Sequence, residues 1–201
     1  MYQTCAALSA LHKLNPPHTH RDIKGENLLL SPQGVIKLCD FGSVTTETFF
    51  PDDSWNHMQR TKVEEDSQRA TTPAYRAPEI CDLYSNYPID TRQDLWAAGC
   101  LLILLTTGRH PFEMGEKLAI INGRYSPSTR PEHAPFASVV KQLLVLDPRK
   151  RCQTIPDLMD AIRAIADNCQ INAGLENFRF QIIISLTVNK FNDYFSNFRL
   201  E

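Results

Sequence analysis

None of the six cysteines (Cys5, Cys39, Cys81, Cys100, Cys152 and Cys169) falls in a C-x-x-C spacing with another. That absence argues against a zinc site or a disulfide framework and fits a reducing compartment. An excess of one charge is missing too. A formal net charge of −2 leaves no electrostatic case for nucleic acid or an anionic membrane surface. Long hydrophobic runs are also lacking: the longest, Leu95 to Leu105, falls short of the roughly 20 residues that span a bilayer. It reads as a buried helix instead. Met1 runs straight into amphipathic sequence with no basic-then-apolar leader. No internal repeat is visible. A soluble, cytosolic chain with no transmembrane segment is the expectation.

What is present is ordinary for a globular protein. With 201 residues, 42% apolar and 22% charged, the chain can bury a real core as one domain. Cys5, Leu8, Leu11 and Leu14 recur at three-residue intervals, predicting a helix over Tyr2 to Leu14 that stops at Asn15-Pro16-Pro17. Leu28-Leu29-Leu30 and Val35-Ile36-Lys37-Leu38 flank a Pro/Gly turn and read as a β-hairpin. From Ser43 to Thr72 the sequence is polar and without sustained periodicity, which reads as a long functional or disordered loop.

Helices dominate after that. One is expected over Thr91–Thr107, apolar on nearly every side and closed by Gly108 and Pro111. Shorter ones are expected near Glu116–Asn122 and Ala137–Leu146. The last spans Ile155–Asp167, with Thr154 and Asp157 spaced like a capping box. The fold class is therefore mainly α with one small β-hairpin. In the tail, Phe180 to Val188 is uncharged and β-prone. Phe191, Tyr194, Phe195 and Phe198 form a helical stripe of the kind that usually packs as core.

The chemistry is concentrated near the start. Phosphoryl transfer needs a proton acceptor, ligands for Mg²⁺ and positive charge on the transferred group. His20-Arg21-Asp22-Ile23-Lys24-Gly25-Glu26-Asn27 holds all three. Asp22 can orient a hydroxyl and take its proton, Lys24 can reach a γ-phosphate, and Asn27 can offer a side-chain oxygen to the metal. Asp40-Phe41-Gly42 follows the hairpin and supplies a second metal-binding carboxylate. A lone His-Arg-Asp or Asp-Phe-Gly is most often a surface triplet or a turn. Both in this order, bridged by an apolar hairpin, are not.

Ala77-Pro78-Glu79, Asp94-Leu95-Trp96-Ala97-Ala98-Gly99 and Arg151 extend the pattern. From Met1 to about residue 168 the sequence resembles the eukaryotic protein kinases, as their large C-terminal lobe. The resemblance implies ATP and Mg²⁺ as cofactors. It implies a domain over 1–170, with a catalytic loop at 20–27, an activation segment at 40–79 and a helical core at 91–168. An atypical tail at 171–201 is left over. It further implies a buried Glu79–Arg151 ion pair, Asp94 holding the catalytic-loop backbone, His20 and Phe41 stacked between the lobes, and Leu29 as the floor of the adenine pocket. Gly42 completes the metal-binding turn.

Lys24, two residues after Asp22, is the choice of serine/threonine kinases. Thr72 matches the threonine that in those enzymes bonds the catalytic Asp and Lys, and is read as part of the site. Arg21 leaves phosphate control of the segment open. No single acceptor stands out among Thr45, Thr46, Thr48, Ser54, Thr61, Ser67 and Thr71.

Lys37-Leu38-Cys39-Asp40-Phe41-Gly42-Ser43, Thr71-Thr72-Pro73 and Asp82-Leu83-Tyr84-Ser85-Asn86-Tyr87-Pro88-Ile89 look like the Numb-associated kinases, and within them the auxilin-type (cyclin-G-associated) branch. His110-Pro111-Phe112-Glu113 and Ile121-Asn122-Gly123-Arg124-Tyr125 agree. The longer Glu79-to-Asp94 spacing fits the extra helix this group has after its activation segment. The resemblance implies phosphorylation of clathrin-adaptor subunits, a cytoplasmic protein, and peripheral association with clathrin-coated vesicles or perinuclear membranes.

No Gly-rich loop, strand lysine or helix glutamate precedes Tyr2, and His18-Thr19 stands where kinases have apolar residues. A truncated gene model or a splice product with a short foreign end is the expectation. The chain alone is expected to be inactive as an enzyme. The alternative to a kinase is a non-catalytic interaction module, and a third reading is an artefact with no function of its own.

Overall fold

Helix α4 (Arg92–Thr107) is the axis around which the rest is laid. Its residues from Gln93 to Ile103 are all buried, as an all-round apolar helix requires. Gly108 closes it at φ 72° with its N–H on Leu104 O, a left-handed cap that glycine adopts without strain. Helix α6 (Ala137–Leu143) crosses α4 at Gly99, where an added Cβ would lie 2.8 Å from Leu144 Cδ2 and 2.9 Å from Leu143 Cβ. Glycine is there for close approach. Trp96 stacks on Phe112 with centroids 5.5 Å apart, and Phe112 meets the edge of Tyr125.

This computed structural model describes residues 1–168. The apolar run Phe180–Val188 and the aromatic stripe beyond it lie outside the described residues. Helix α1 (Tyr2–His12) packs against α7 (Ile155–Asn168) and against the second strand of the hairpin. Strands β1 (Leu28–Leu30) and β2 (Ile36–Leu38) pair antiparallel with Leu28 opposite Leu38 and Leu30 opposite Ile36. The fold is mainly α with one two-stranded antiparallel sheet among the described residues. Thr154 caps α7: its hydroxyl accepts from Asp157 N–H at 3.3 Å and donates to the Asp157 carboxylate at 2.7 Å. Between α4 and α6 lies the short α5 (Lys117–Ile121).

Two expectations need correction. The stretch Ser43–Thr72 is not a featureless loop, because it holds the 14-residue helix α2 (His57–Ala70). Its buried positions, Arg60, Val63, Ser67 and Ala70, have helical spacing, but only two are apolar, so hydrophobic periodicity could not announce it. Polar contacts do the anchoring. Arg60 donates to Leu83 O, to Asp52 O at 2.5 Å and to Asn86 Oδ1 at 3.1 Å. The capping box was legible: Asn56 Oδ1 accepts from Gln59 N and Gln59 Oε1 from Asn56 N, both at 2.9 Å. The second correction concerns the extra helix expected between Glu79 and Asp94. Only the four-residue α3 (Pro78–Cys81) and a 3-10 turn at Leu83–Ser85 occur there. Asp82 breaks the run by turning its carboxylate onto Tyr84 N–H at 3.0 Å.

Among the described residues five cysteines are free thiols. Burial pushes Cys5 and Cys81 up to about 12, so both are protonated packing groups rather than nucleophiles.

Candidate active site

The loop after α1 takes its shape from one buried carboxylate. Asp94, in the first turn of α4, accepts His20 N–H at 2.8 Å, Arg21 N–H at 2.9 Å and the His12 Nε2 contact at 2.9 Å. Charge-assisted bonds of this kind are stronger than neutral ones. They hold Arg21 at φ 72°, a left-handed conformation that costs a non-glycine residue on the order of 1 kcal/mol. Asp94 is wholly buried, and the helix N-terminus favours its charge.

His20 is also buried. Its Nε2 meets Cys39 O at 3.2 Å and its ring makes an edge contact with Phe41 at 5.3 Å. Burial lowers its pKa, against the opposing pull of Asp94, the Cys39 carbonyl, Asp22 and Asp40. The ring is therefore neutral at pH 7.

Four of the expected site residues form one closed network. Thr72 Oγ1 donates to Asp22 Oδ1 at 2.6 Å and accepts from Lys24 Nζ at 2.9 Å. Lys24 Nζ lies 2.8 Å from Asp22 Oδ2. Asn27 Nδ2 donates to Asp22 O at 2.8 Å and to Asp22 Oδ2 at 3.1 Å. Both amide hydrogens of Asn27 are thus spent on Asp22, which leaves its Oδ1 as a free acceptor. Burial raises the Asp22 pKa, but hydrogen bonds from Lys24 and Thr72, the Lys24 charge and the Asn27 bond outweigh it, and the net shift is downward. Asp22 is an anion at neutral pH, with its charge spread over three donors.

The hairpin brings Asp40 to the same end. Cys39 N–H bonds Asn27 O at 2.9 Å, continuing the Leu28–Leu38 register by one pair, so Asp40 follows one residue beyond the pair that holds Asn27. Asp40 stands at φ 61° with Oδ1 on Gly42 N–H at 3.3 Å. A Cβ at Gly42 would touch that same oxygen at 3.3 Å, so glycine keeps the carboxylate seated. Asn27 Oδ1 and the Asp40 carboxylate are hard oxygen donors. Two such ligands suit Mg²⁺, which keeps waters and takes its remaining oxygens from phosphates. Among the described residues no group of three His, Cys, Asp or Glu gathers as a metal site.

Leu29 is 51% exposed on β1 and forms an open apolar wall beside the hairpin. Glu79 and Arg151 meet as a bidentate pair with both bonds at 2.8 Å and no exposure of either side chain. Arg151 also donates to Arg92 O and Val145 O and lies over the Trp96 ring at 5.2 Å. The structure adds contacts that sequence reasoning missed: His12 on Asp94, Asp66 on Arg21, and Tyr75, whose hydroxyl accepts from Gly25 N–H at 3.5 Å. Only the Asn56/Gln59 box hinted at the helix that carries Asp66.

The protein kinase domain family matches residues 1–162. The chain belongs to the protein kinase family. It is 39% identical over 152 residues to actin-regulating kinase 1 of Saccharomyces cerevisiae, covering 75% of this chain and 23% of that protein. It is 38% identical over 176 residues to a probable serine/threonine-protein kinase of Dictyostelium discoideum, covering 87% of this chain and 21% of that protein. The kinase chain therefore spans less than a quarter of the length of these curated relatives. Kinases of this family use ATP with Mg²⁺ and act on protein substrates. Among the described residues of this kinase no helix is long and apolar enough to cross a membrane.

Proposed function

We propose that this lobe carries the phosphoryl-transfer site of a serine/threonine protein kinase. The closed Asp22–Lys24–Thr72–Asn27 network supports this most directly. Asp22, held ionised, accepts a hydrogen bond from the substrate hydroxyl, aims its oxygen and takes its proton. Lys24 lies close enough to Asp22 to place its positive charge on the group being transferred. Thr72 locks the geometry of both, and the Lys24/Thr72 pairing favours serine or threonine acceptors over tyrosine. Asn27 and Asp40 would hold Mg²⁺. ATP with its metal supplies the phosphoryl group and neutralises its charge, while the protein contributes mainly positioning and electrostatics.

Glu79 and Arg151 tie the segment that follows Thr72 to the helical core, and Asp94 fixes the catalytic loop. Leu29 offers one wall for adenine. On the resemblance to the Numb-associated, auxilin-type kinases, we place its substrates among clathrin-adaptor subunits and its setting at clathrin-coated vesicles. The name of the yeast relative adds regulation of actin as a related process.

The decisive experiment places a kinase small lobe ahead of Tyr2 and measures transfer from radiolabelled Mg²⁺-ATP to a threonine peptide. Asp22→Asn should lower turnover by about 10²–10⁴-fold, and Asp40→Asn should do so comparably, with melting unchanged. Near-normal turnover in either variant would defeat the assignment.

A further inference from the structure

A cleft of about 630 Å³ lies beside the segment that carries Thr72. It is not isolated from the active site. Gly115 packs on Pro73, the residue after Thr72. The ring of His110, which lines the cleft, makes an edge contact with Tyr75 at 5.1 Å. Tyr75 in turn takes the Gly25 N–H of the catalytic loop. One aromatic residue thus separates this cleft from the residues that surround Asp22.

The lining is rich in unused hydrogen-bond donors. Arg109 comes from the end of α4, Arg124 from the turn after α5, and Arg130 from the entry to the 3-10 segment Pro131–Phe136. Among the described residues, none of these three guanidinium groups has an ion-pair or hydrogen-bond partner, although each carries five N–H donors. His110 Nδ1 is buried without a partner. Two carboxylates, Glu113 and Glu116, share the lining and are likewise unpaired with the arginines. Three separate segments converge their cations here, and Glu113 and Glu116 form no ion pair with them.

An acceptor-rich ligand satisfies such a surface. Guanidinium groups pair with carboxylates and phosphates in two-pronged, charge-assisted fashion. We propose that the cleft docks an acidic or phosphorylated stretch of the polypeptide whose serine or threonine is presented at Asp22. This deepens the serine/threonine-kinase reading and rests on it, since the docked segment is taken to belong to the phosphoryl acceptor. Glu113 and Glu116 would set the selectivity by repelling anions that do not reach the arginines.

The test is direct binding to the 201-residue chain without nucleotide, read by fluorescence anisotropy. The probes are labelled threonine peptides carrying a flanking run of Glu, of phosphoserine, or of Gln, with the run placed on either side of the threonine. The Glu or phosphoserine peptide should bind at least about fivefold tighter than the Gln peptide at low salt, and the preference should fade as salt screens it. The Glu and phosphoserine arms, compared with each other, tell a carboxylate site from a phosphate site. Replacing Arg109, Arg124 and Arg130 together with Ala should erase the preference, and Arg124→Glu alone should weaken it. Glu116→Gln should strengthen it. Equal binding of the Glu, phosphoserine and Gln peptides, or a preference that survives the triple replacement in a folded protein, would overturn the proposal. Because no ATP is present, failure of phosphoryl transfer in the two-lobed form counts against the kinase reading and leaves the binding comparison as it is.

Discussion

Arg21 reaches from the catalytic loop to Asp66 on α2, with Nη1 2.6 Å from the carboxylate and Nε 2.5 Å from Ser43 O. The arginine next to Asp22 is therefore tied to the activation segment by a carboxylate already in the sequence. Added negative charge near Arg21 is one way such a segment is ordered, and here Asp66 supplies it.

Asp66→Ala should accordingly loosen residues 44–71 without unfolding the lobe. Asp66 is about half exposed, so the stability change should stay under about 1 kcal/mol. Limited proteolysis should cut this segment several-fold faster in the variant. Identical digestion of variant and wild type would show that the contact does not hold the segment. Phosphatase treatment of the wild-type protein should leave its digestion pattern unchanged.

The Glu79–Arg151 pair gives a larger effect. Arg151→Leu leaves a buried glutamate without its partner, and should destabilise the lobe by about 3–5 kcal/mol. A double replacement of Glu79 and Arg151 by apolar residues should cost less than the single change, measured by urea denaturation. Single and double variants that both melt with wild type would mean the pair contributes nothing.

Gly115 should prove intolerant of any side chain. It sits at φ +67°, and a Cβ there would lie 2.5 Å from Pro73 Cβ and 2.8 Å from the Pro73 carbonyl carbon. Backbone cannot yield as a flexible side chain does. Gly115→Ala should therefore push Pro73, and with it Thr72, away from Lys24 and Asp22. Since a displacement of about 1 Å can cost ~10²-fold, kcat of a two-lobed form should drop by about that factor. Unchanged kcat would show that the contact does not position the site.

The pH dependence follows from His20. Its folded-state pKa is lowered, chiefly by burial, so below histidine's ordinary value near 6.5 the unfolded chain binds the proton more readily than the native one. Stability is then fully present above that pH and is lost as pH falls toward the lower folded value. The melting temperature should decline as pH falls below about 6.5, and His20→Phe should flatten that decline. A variant with the same slope as wild type would remove His20 from the account.

Much of the site was legible in the sequence because the chemistry is local there. Asp22, Lys24 and Asn27 fall within one short loop, and Asp40 is returned to it by a hairpin whose apolar runs and Pro/Gly turn can be read directly. The buried helix α4 announced itself by continuous apolar composition, and the α7 cap by Thr154 and Asp157. Helix α2 did not, because its buried face is anchored by Arg60 through hydrogen bonds rather than by an apolar stripe.

Beyond the Glu79–Arg151, Asp94 and Thr72 contacts that the family resemblance implied, pairings across long separations were set by the tertiary structure. His12 meets Asp94, Arg21 meets Asp66, and the arginines of three segments meet around His110. Residue type and spacing report which groups a local segment can present. They do not report which distant carboxylate will face a given cation, since that depends on how helices such as α2 and α4 pack. The sequence by itself determined the helical lobe and the order of its chemical groups. The packing decided their partners, because an ion pair or a cleft exists only where separate segments are brought within a few ångströms of one another.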